Sequence, residues 1–328
     1  MVLPLLYLGP IIGFFTALVA TPTLIRYLNR IKLIVKDQNK EDKALVPISG
    51  GLAVISGILA GIMFYIFILV FAYKDTSQTT TIFAVLTTIL LMTLIGFLDD
   101  LIINKTQDAS VGLKQWHKPL LTLIPAIPLM VINAGQAVMF VPFFGEVNFG
   151  MIYPLLLIPI GVVAASNMVN LLAGINGIET GMGIVYIGML GLYAYANQRY
   201  VAAAIAVIVF ASLIGFYFYN KYPAKILPGD SLTYLLGAAL VSIAIVGNIE
   251  KAALICSIPF ILEFILKWRS KFKAQSYGYY DDGRIHSLHN KIYSLIHLFT
   301  IKPRFTERQI AYSFIFIELL VSSLIWFV

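Results

Sequence analysis

Residues 201–219 read VAAAIAVIVFASLIGFYFY, with no charged side chain between Arg199 and Lys221. At about 1.5 Å of rise per residue, a helix of that length crosses the roughly 30 Å hydrocarbon layer of a bilayer. The same texture recurs along all 328 residues, and with 59% hydrophobic and 12% charged residues no soluble core accounts for it. Similar apolar stretches run approximately over Leu3–Leu28, Gly51–Tyr73, Thr80–Leu98, Pro119–Asn133, Met151–Leu172, Gly181–Ala196, Val201–Tyr219, Ser231–Gly247, Ala252–Trp268 and Ile310–Val328. The expected fold class is therefore an all-α integral membrane protein of about ten transmembrane helices. No internal repeat, linker or low-complexity break divides it, so residues 1–328 read as one polytopic domain.

Lys and Arg orient the bundle. Arg26, Arg30, Lys32, Lys36, Lys40 and Lys43 follow the first stretch; Lys105, Lys114 and Lys118 follow the third; Lys221 and Lys225 follow the seventh. A long loop at about 268–309 adds many more, whereas the opposite face holds only Lys74, Arg199 and Lys251. By the positive-inside rule the charged loops are cytosolic and both termini lie outside. The net charge of +7 is thus topological first; it speaks against a nucleic-acid partner and leaves membrane lipid or a phosphorylated substrate open. The lone Cys256 falls inside an apolar stretch, which excludes a disulfide framework and a cysteine metal site. The first stretch has no basic n-region and no small-residue cleavage pattern, as expected of a retained helix.

Outside the stretches, AVMFVPFFGEVNF (137–149) alternates around Pro142 and Gly145, which predicts a short external β-hairpin after the fourth helix. In the long loop, SYGYYDDGR (276–284) is turn-rich, and KIYSLIHLF (291–299) has the composition of a helix lying along the membrane surface.

Every polar cluster suited to chemistry falls on the cytosolic side of this topology. Asp99 and Asp100 follow LLMTLIGFL directly. Neighbours on a helix differ by about 100°, so the two carboxylates suit two roles better than one shared proton; the plain alternative is a solvated helix end. Asp230 in KILPGDSLTYLLG has the position of an N-cap, the simplest reading of it in isolation. In SNMVNLLAGINGIETG (166–181), Asn167, Asn170 and Asn176 surround a glycine-rich break. One Asn there would be a helix–helix hydrogen bond; three beside Gly174, Gly177 and Gly181 favour a ligand site. Glu263 stands four before Lys267, as in an intrahelical pair. Glu318 lies inside the last stretch, in the half expected to reach the outer interface. The GILAG spacing of Gly57 and Gly61 permits close packing within the bundle or in a homodimer.

The order PISGG (47–51), GFLDD (96–100), NMVNLLAGINGIETG (167–181), NKYPAKILPGDS (220–231) and a basic, His-containing last loop resembles the polyprenyl-phosphate N-acetylhexosamine-1-phosphate transferase family. AGINGIE (173–179) is most similar to its dolichyl-phosphate GlcNAc-phosphotransferase branch, of archaeal and eukaryotic type. The resemblance implies a membrane enzyme that moves a sugar 1-phosphate from a UDP-N-acetylhexosamine to polyprenyl or dolichyl phosphate at the cytosolic face, releasing UMP. It implies Mg²⁺ as cofactor, with Mn²⁺ as a substitute, on Asn170 and Asp230. Asp99, Asp100 and Lys118 (in QWHKPLL) match catalytic positions. Gly174 and Asn176 match uridine contacts, with Asn167 and Glu179 in the same substrate-binding set. Arg284, His286 and His289 in GRIHSLHN are candidates for diphosphate and sugar contacts. His117 and His297 read as ordinary interfacial histidines. Ile103 stands where related enzymes often carry a polar residue. A short, single-domain chain of this kind suits a prokaryotic, archaeal-type plasma membrane. The alternative class is a secondary transporter, which also uses broken helices and buried polar groups; but its site belongs near the midplane, and no repeat supports alternating access.

Overall fold

The computed structural model describes residues 7–42, 44–106, 113, 116–141 and 145–327. Lys43, Lys114 and Pro142 lie outside the described residues, as do the side chains of Ile103 and Lys105 and the outermost residues of the first and last apolar stretches.

The chain is mainly helical, in an order set by the apolar stretches. The long helices are α1 (Leu8–Arg30), α2 (Gly51–Phe67, extended by one wider turn, Ile68–Ala72) and α3 (Thr79–Thr106). After two short helices, α4 (His117–Leu121) and α5 (Ile127–Val131), come α6 (Ile158–Leu171, entered through a wider turn at Tyr153–Leu157), α7 (Ile178–Ala196), α8 (Tyr200–Asn220) and α9 (Gly229–Gly247). The last third holds α10 (Glu250–Cys256), α11 (Ile258–Arg269), α12 (His297–Thr300) and α13 (Glu307–Ser323).

Among the described residues seven segments are long and apolar enough to cross a membrane: α1, α2, the membrane part of α3, α6 with its entry turn, α8, α9 and α13. The other three expected spans take different forms, for visible reasons. The fourth is broken into α4, a 3₁₀ turn at Ile124–Ala126 and α5, because Pro119, Pro125 and Pro128 remove backbone donors and clash with the preceding turn. The ninth divides at Ser257, just before Pro259, into α10 and α11. The sixth, α7, has 19 residues, but its tyrosines, glycines and Glu179 dilute its apolar character.

α9 is the axis of the bundle. It packs against α2, α3, α6, α7 and α8, and 83% of its membrane window is buried, so its sequence is apolar all round rather than on one stripe. α1 lies against α2 and α8, and α13 against α7. The GILAG glycines serve the α1–α2 contact: a Cβ on Gly57 would sit 2.6 Å from the Gly13 carbonyl oxygen, and one on Gly61 would sit 2.8 Å from that of Gly9. Glu318 does not reach an outer interface. It is fully buried and accepts a 2.6 Å hydrogen bond from the Ser322 hydroxyl one turn on.

Among the described residues, three antiparallel ribbons decorate the helices. β1 (Ile34–Lys36) pairs with β2 (Leu45–Pro47), a ribbon that the basic loop gave no sign of. β3 (Val138–Val141) pairs with β4 (Gly145–Asn148) in the segment read as a hairpin. β5 (Gly278–Asp281) pairs with β6 (Arg284–Ser287) around Asp282-Gly283, both with positive φ, as a tight Asp-Gly hairpin turn requires. The segment expected as a surface helix contributes only the four residues of α12, whose His297 is buried.

Candidate active site

Chain direction puts the chemistry at one end. α3 and α6 finish where α9 begins, so Asp99, Asn170 and Asp230 converge although they are far apart in sequence. α4 brings the fourth partner, Lys118. Its Nζ lies 2.6 Å from Asp99 Oδ2 and 2.9 Å from Asp230 Oδ2. Asn170 Nδ2 donates to the same Asp230 oxygen at 3.2 Å, and the Thr233 hydroxyl donates to Asn170 Oδ1 at 2.8 Å. Asp99 is fully buried, and its Oδ1 accepts the Leu113 N–H at 2.6 Å. One ammonium is therefore shared between two carboxyl groups.

The Asp pair does divide its labour, but Asp100 takes an unexpected share. It is fully buried and accepts the backbone N–H groups of Asp230 (2.7 Å) and Ser231 (3.2 Å). Asp100, which belongs to α3, thus caps the first turn of α9 by accepting two of its free backbone N–H groups. Gly229 is needed for this approach: its φ is +68°, and a Cβ there would sit 2.4 Å from Asp100 Oδ2. Asp100 holds Asp230 in place from behind and does not line the cavity described next.

That cavity, of about 1090 Å³, opens beside the cluster and is lined by Lys118, Asn167, Asn170, Asp230 and the 173–179 break. Asn167 Nδ2 donates to the Thr122 hydroxyl (3.0 Å) and the Val163 carbonyl (2.8 Å), which fixes it on the wall. Gly174 has φ +110°, left-handed backbone that a larger residue rarely adopts, and its N–H donates to Glu179 Oε1 at 2.9 Å. Burial pushes the Glu179 carboxyl up to about 7. Asn176 donates its backbone N–H to Glu307 Oε1 and its side-chain amide to Asp37 Oδ2, both at 2.9 Å.

Four polar residues of this wall escape sequence reasoning. Asp37 and Asn39 follow β1 and line the cavity. Asn39 donates to the Gly174 carbonyl and accepts the Gly278 N–H at 3.3 Å, so it ties three distant loops together. Lys40 donates to Glu307 Oε2 and sits 3.8 Å from Asp37 Oδ2. The only sequence signal was the presence of Asp37 and Asn39 in a loop otherwise rich in Lys and Arg.

The last loop closes the far side. Lys267 Nζ donates to the Ala274 carbonyl at 2.6 Å and lies 3.9 Å from Glu263 Oε1, so the expected pair exists but faces the loop. Glu263 Oε2 accepts the Leu295 N–H at 2.7 Å. His297, read as interfacial, is instead buried, with Nε2 2.9 Å from the Gln275 carbonyl; burial lowers its pKa from the usual value. The structure does not bring the Arg284, His286 and His289 trio to the cavity. Arg284 is exposed and donates to the Pro303 carbonyl at 3.2 Å. The His286 ring stacks on Tyr279 at 5.1 Å, with Nε2 3.9 Å from Asp281 Oδ2, and His289 belongs to a separate basin.

Comparison with known proteins gives this constellation a lineage. A family described as glycosyl transferase family 4 matches residues 82–248. A Saccharolobus solfataricus protein, provisionally named UDP-N-acetylglucosamine–dolichyl-phosphate N-acetylglucosaminephosphotransferase, is 35% identical over 92% of this chain and 89% of its own length. The chain belongs to glycosyl transferase family 4. A Sulfolobus acidocaldarius protein of the same provisional name is 30% identical over 97% of this chain and 94% of its own. The phospho-N-acetylmuramoyl-pentapeptide-transferase of Lactiplantibacillus plantarum is 32% identical over 76% of this chain and 78% of its own. The family match contains the whole Asp99, Lys118, Asn170 and Asp230 cluster, while Asp37, Asn39, Lys40 and Glu307 lie outside it. With its seven apolar helices, this family member is an integral membrane protein.

Proposed function

We propose that the cavity binds a UDP-N-acetylhexosamine, UDP-GlcNAc foremost, and transfers its sugar 1-phosphate to a polyprenyl phosphate of dolichyl type. The products are lipid-pyrophosphate-sugar and UMP, as a first step of lipid-linked glycan assembly at the cytosolic face of a plasma membrane. One observation carries this reading: the Asp99 and Asp230 carboxylates, the Lys118 ammonium and the Asn170 amide form one hydrogen-bonded cluster at one end of a membrane bundle, and Lys118, Asn170 and Asp230 of that cluster line a cavity of about 1090 Å³. A lipid phosphate can enter from the bilayer side and a water-soluble nucleotide from the other.

The lipid phosphate oxygen attacks the phosphorus that bears the sugar, and the bond from that phosphorus to the UMP oxygen breaks. Lys118 turns from its carboxylates to the diphosphate and spreads the charge that builds up there. The phosphate monoester has a second pKa of about 6 and is largely dianionic at neutral pH, so it needs little help from a base. Asp99 accordingly orients the acceptor and takes any residual proton, while Asp100 keeps Asp230 in register. Asn176, Asp37 and the Gly174 backbone offer donors and acceptors to a uracil edge, with Asn167 and Glu179 on the same wall. Because one pyrophosphate link replaces another, the reaction runs in both directions.

The donor set suits Mg²⁺. Asp230 and Asn170 both line the cavity and supply one carboxylate and one amide oxygen, the few hard oxygen donors this ion takes when phosphates and water complete its shell. The amide, whose nitrogen now faces Asp230 while its oxygen accepts the Thr233 hydroxyl, would turn to present that oxygen. Bound there, Mg²⁺ or its substitute Mn²⁺ supplies positive charge against the diphosphate.

UMP release from UDP-GlcNAc by the purified protein is the test, with and without polyprenyl phosphate and Mg²⁺, beside Asp230→Asn. UMP that requires both additions and disappears in the variant is expected. A folded sample that forms no UMP from any UDP-N-acetylhexosamine overturns the proposal.

A further inference from the structure

A second basin, of about 370 Å³, lies at the C-terminal end of α11 and is unrelated to the proposed chemistry. Arg269, Lys271, Lys273, His289 and Tyr293 line it. Among the described residues, none of Arg269, Lys271 and Lys273 has a carboxylate partner. His289 Nε2 is shielded from solvent yet has no hydrogen-bond partner, while the His289 carbonyl accepts the Ser287 hydroxyl at 2.9 Å and so fixes the residue at the rim. Three cations without a carboxylate partner around one hollow are a receptor for an anion with several oxygen acceptors, and a phosphate has that chemistry.

The surroundings say which phosphate. α11 exposes Leu262, Ile265 and Trp268 along the side that leads to the basin, whereas Glu263 and Lys267 face inward. Leu288, the chain neighbour of His289, and Ile292, the chain neighbour of Tyr293, are exposed as well. A tryptophan at the end of an apolar stripe, followed at once by Arg269 and Lys271, marks the level of the lipid headgroups. We infer that this basin binds the phosphate of an anionic membrane lipid, whose acyl chains run along the exposed apolar side of α11.

The site has a consequence for the main cavity, because Lys273 and Ala274 line both spaces. The strap between them is strained: Lys271 and Phe272 both have positive φ, +54° and +59°, which costs free energy unless surrounding contacts hold it. The contacts that hold it include the Lys267 ammonium on the Ala274 carbonyl, the Ala274 N–H donated to Ser270 Oγ, and the Lys271, Phe272 and Lys273 N–H groups donated to the Trp268, Lys267 and Ser270 carbonyls. A headgroup bound to Lys271 and Lys273 adds to these and steadies the wall of the substrate cavity.

The test reads binding, so it stands whether or not sugar phosphate transfer is observed. Full-length protein in a neutral detergent is titrated with phosphatidylglycerol, phosphatidylcholine or inorganic phosphate while its thermal midpoint is followed. Phosphatidylglycerol is expected to raise the midpoint and the other two to leave it in place. Arg269→Gln with Lys271→Gln should keep the lipid-free midpoint and need on the order of 25-fold more phosphatidylglycerol, at roughly five-fold per basic side chain. If the double variant fails to fold, Lys271→Gln alone should shift the titration about five-fold by the same arithmetic. An equal response to phosphatidylcholine, or variants that respond like the parent, overturns the site. A full response to inorganic phosphate overturns the assignment to lipid.

Discussion

Lys118 serves two carboxylates at once, and its removal should be more damaging than the loss of an ordinary surface ion pair. Without it, Asp99 and Asp230 face each other uncompensated in a site where Asp99 has no contact with water. Lys118→Met is expected to lower UMP formation by about 10²–10³ or more, the typical effect of deleting one oxyanion-stabilising donor. Lys118→Arg should not rescue it, because a longer and bulkier planar fork does not present donors as the compact ammonium does, 2.6 and 2.9 Å from the two oxygens. Glu179 makes a different kind of residue-scale prediction. Its folded-state pKa of about 7 lies above the ordinary 4.5, so the unfolded chain releases this proton first as pH rises. Stability contributed at this position is therefore complete below 4.5, declines as pH rises towards 7 and changes no further above it. Glu179→Gln keeps an acceptor for the Gly174 N–H but has no proton to lose, so its thermal midpoint should fall less than the parent's across that window. Equal slopes would contradict the assignment.

At the scale of elements, sequence reading succeeded where periodic apolarity was the only force. Seven long helices declare themselves because hydrocarbon demands them. The short and broken ones do not: three prolines within ten residues divide the 119–128 segment, and Pro259 helps to divide α10 from α11, although average apolarity there stays high. The β1–β2 ribbon was invisible for the opposite reason, since its loop was read for charge alone and Asp37 and Asn39 were lost among lysines. Packing through glycine was legible in spacing but not in partner. A Cβ on Gly57 would sit 2.6 Å from the Gly13 carbonyl oxygen, so Gly57→Val must push α1 and α2 apart. A loss of about 1–3 kcal/mol is expected from such overpacking, visible as a lowered thermal midpoint. An unchanged midpoint would show that the contact is loose.

For the whole molecule, orientation is the prediction that ties charge to function. α8, of 21 residues, is flanked by exposed Arg199 and Lys221, and the only native cysteine is buried. Replacing Cys256 by serine and introducing Arg199→Cys or Lys221→Cys gives single reporters at the two ends. In sealed right-side-out vesicles an impermeant maleimide should label the Arg199→Cys protein, and in inverted vesicles the Lys221→Cys protein; labelling of both from one side would break the topology. Much of the site could be read in advance because Asp99, Lys118, Asn170 and Asp230 lie at the ends of apolar stretches, on the side that odd-even counting assigns to one face. The Arg284, His286 and His289 group could not be placed, since a hairpin register and a buried His297 decide which side chains of the last loop turn inward.

The tie between Lys40 and Glu307 joins positions 267 residues apart, and this has a meaning for biogenesis. At about 5–20 residues per second, a ribosome takes roughly 13–53 s to travel from one to the other. Throughout that interval the cavity wall lacks its last support, because Asn176 also donates to Glu307. The half-made protein can carry a finished Asp99, Lys118 and Asp230 cluster while this wall is still unsupported. Completion of the wall thus waits for the start of α13, which supplies Glu307.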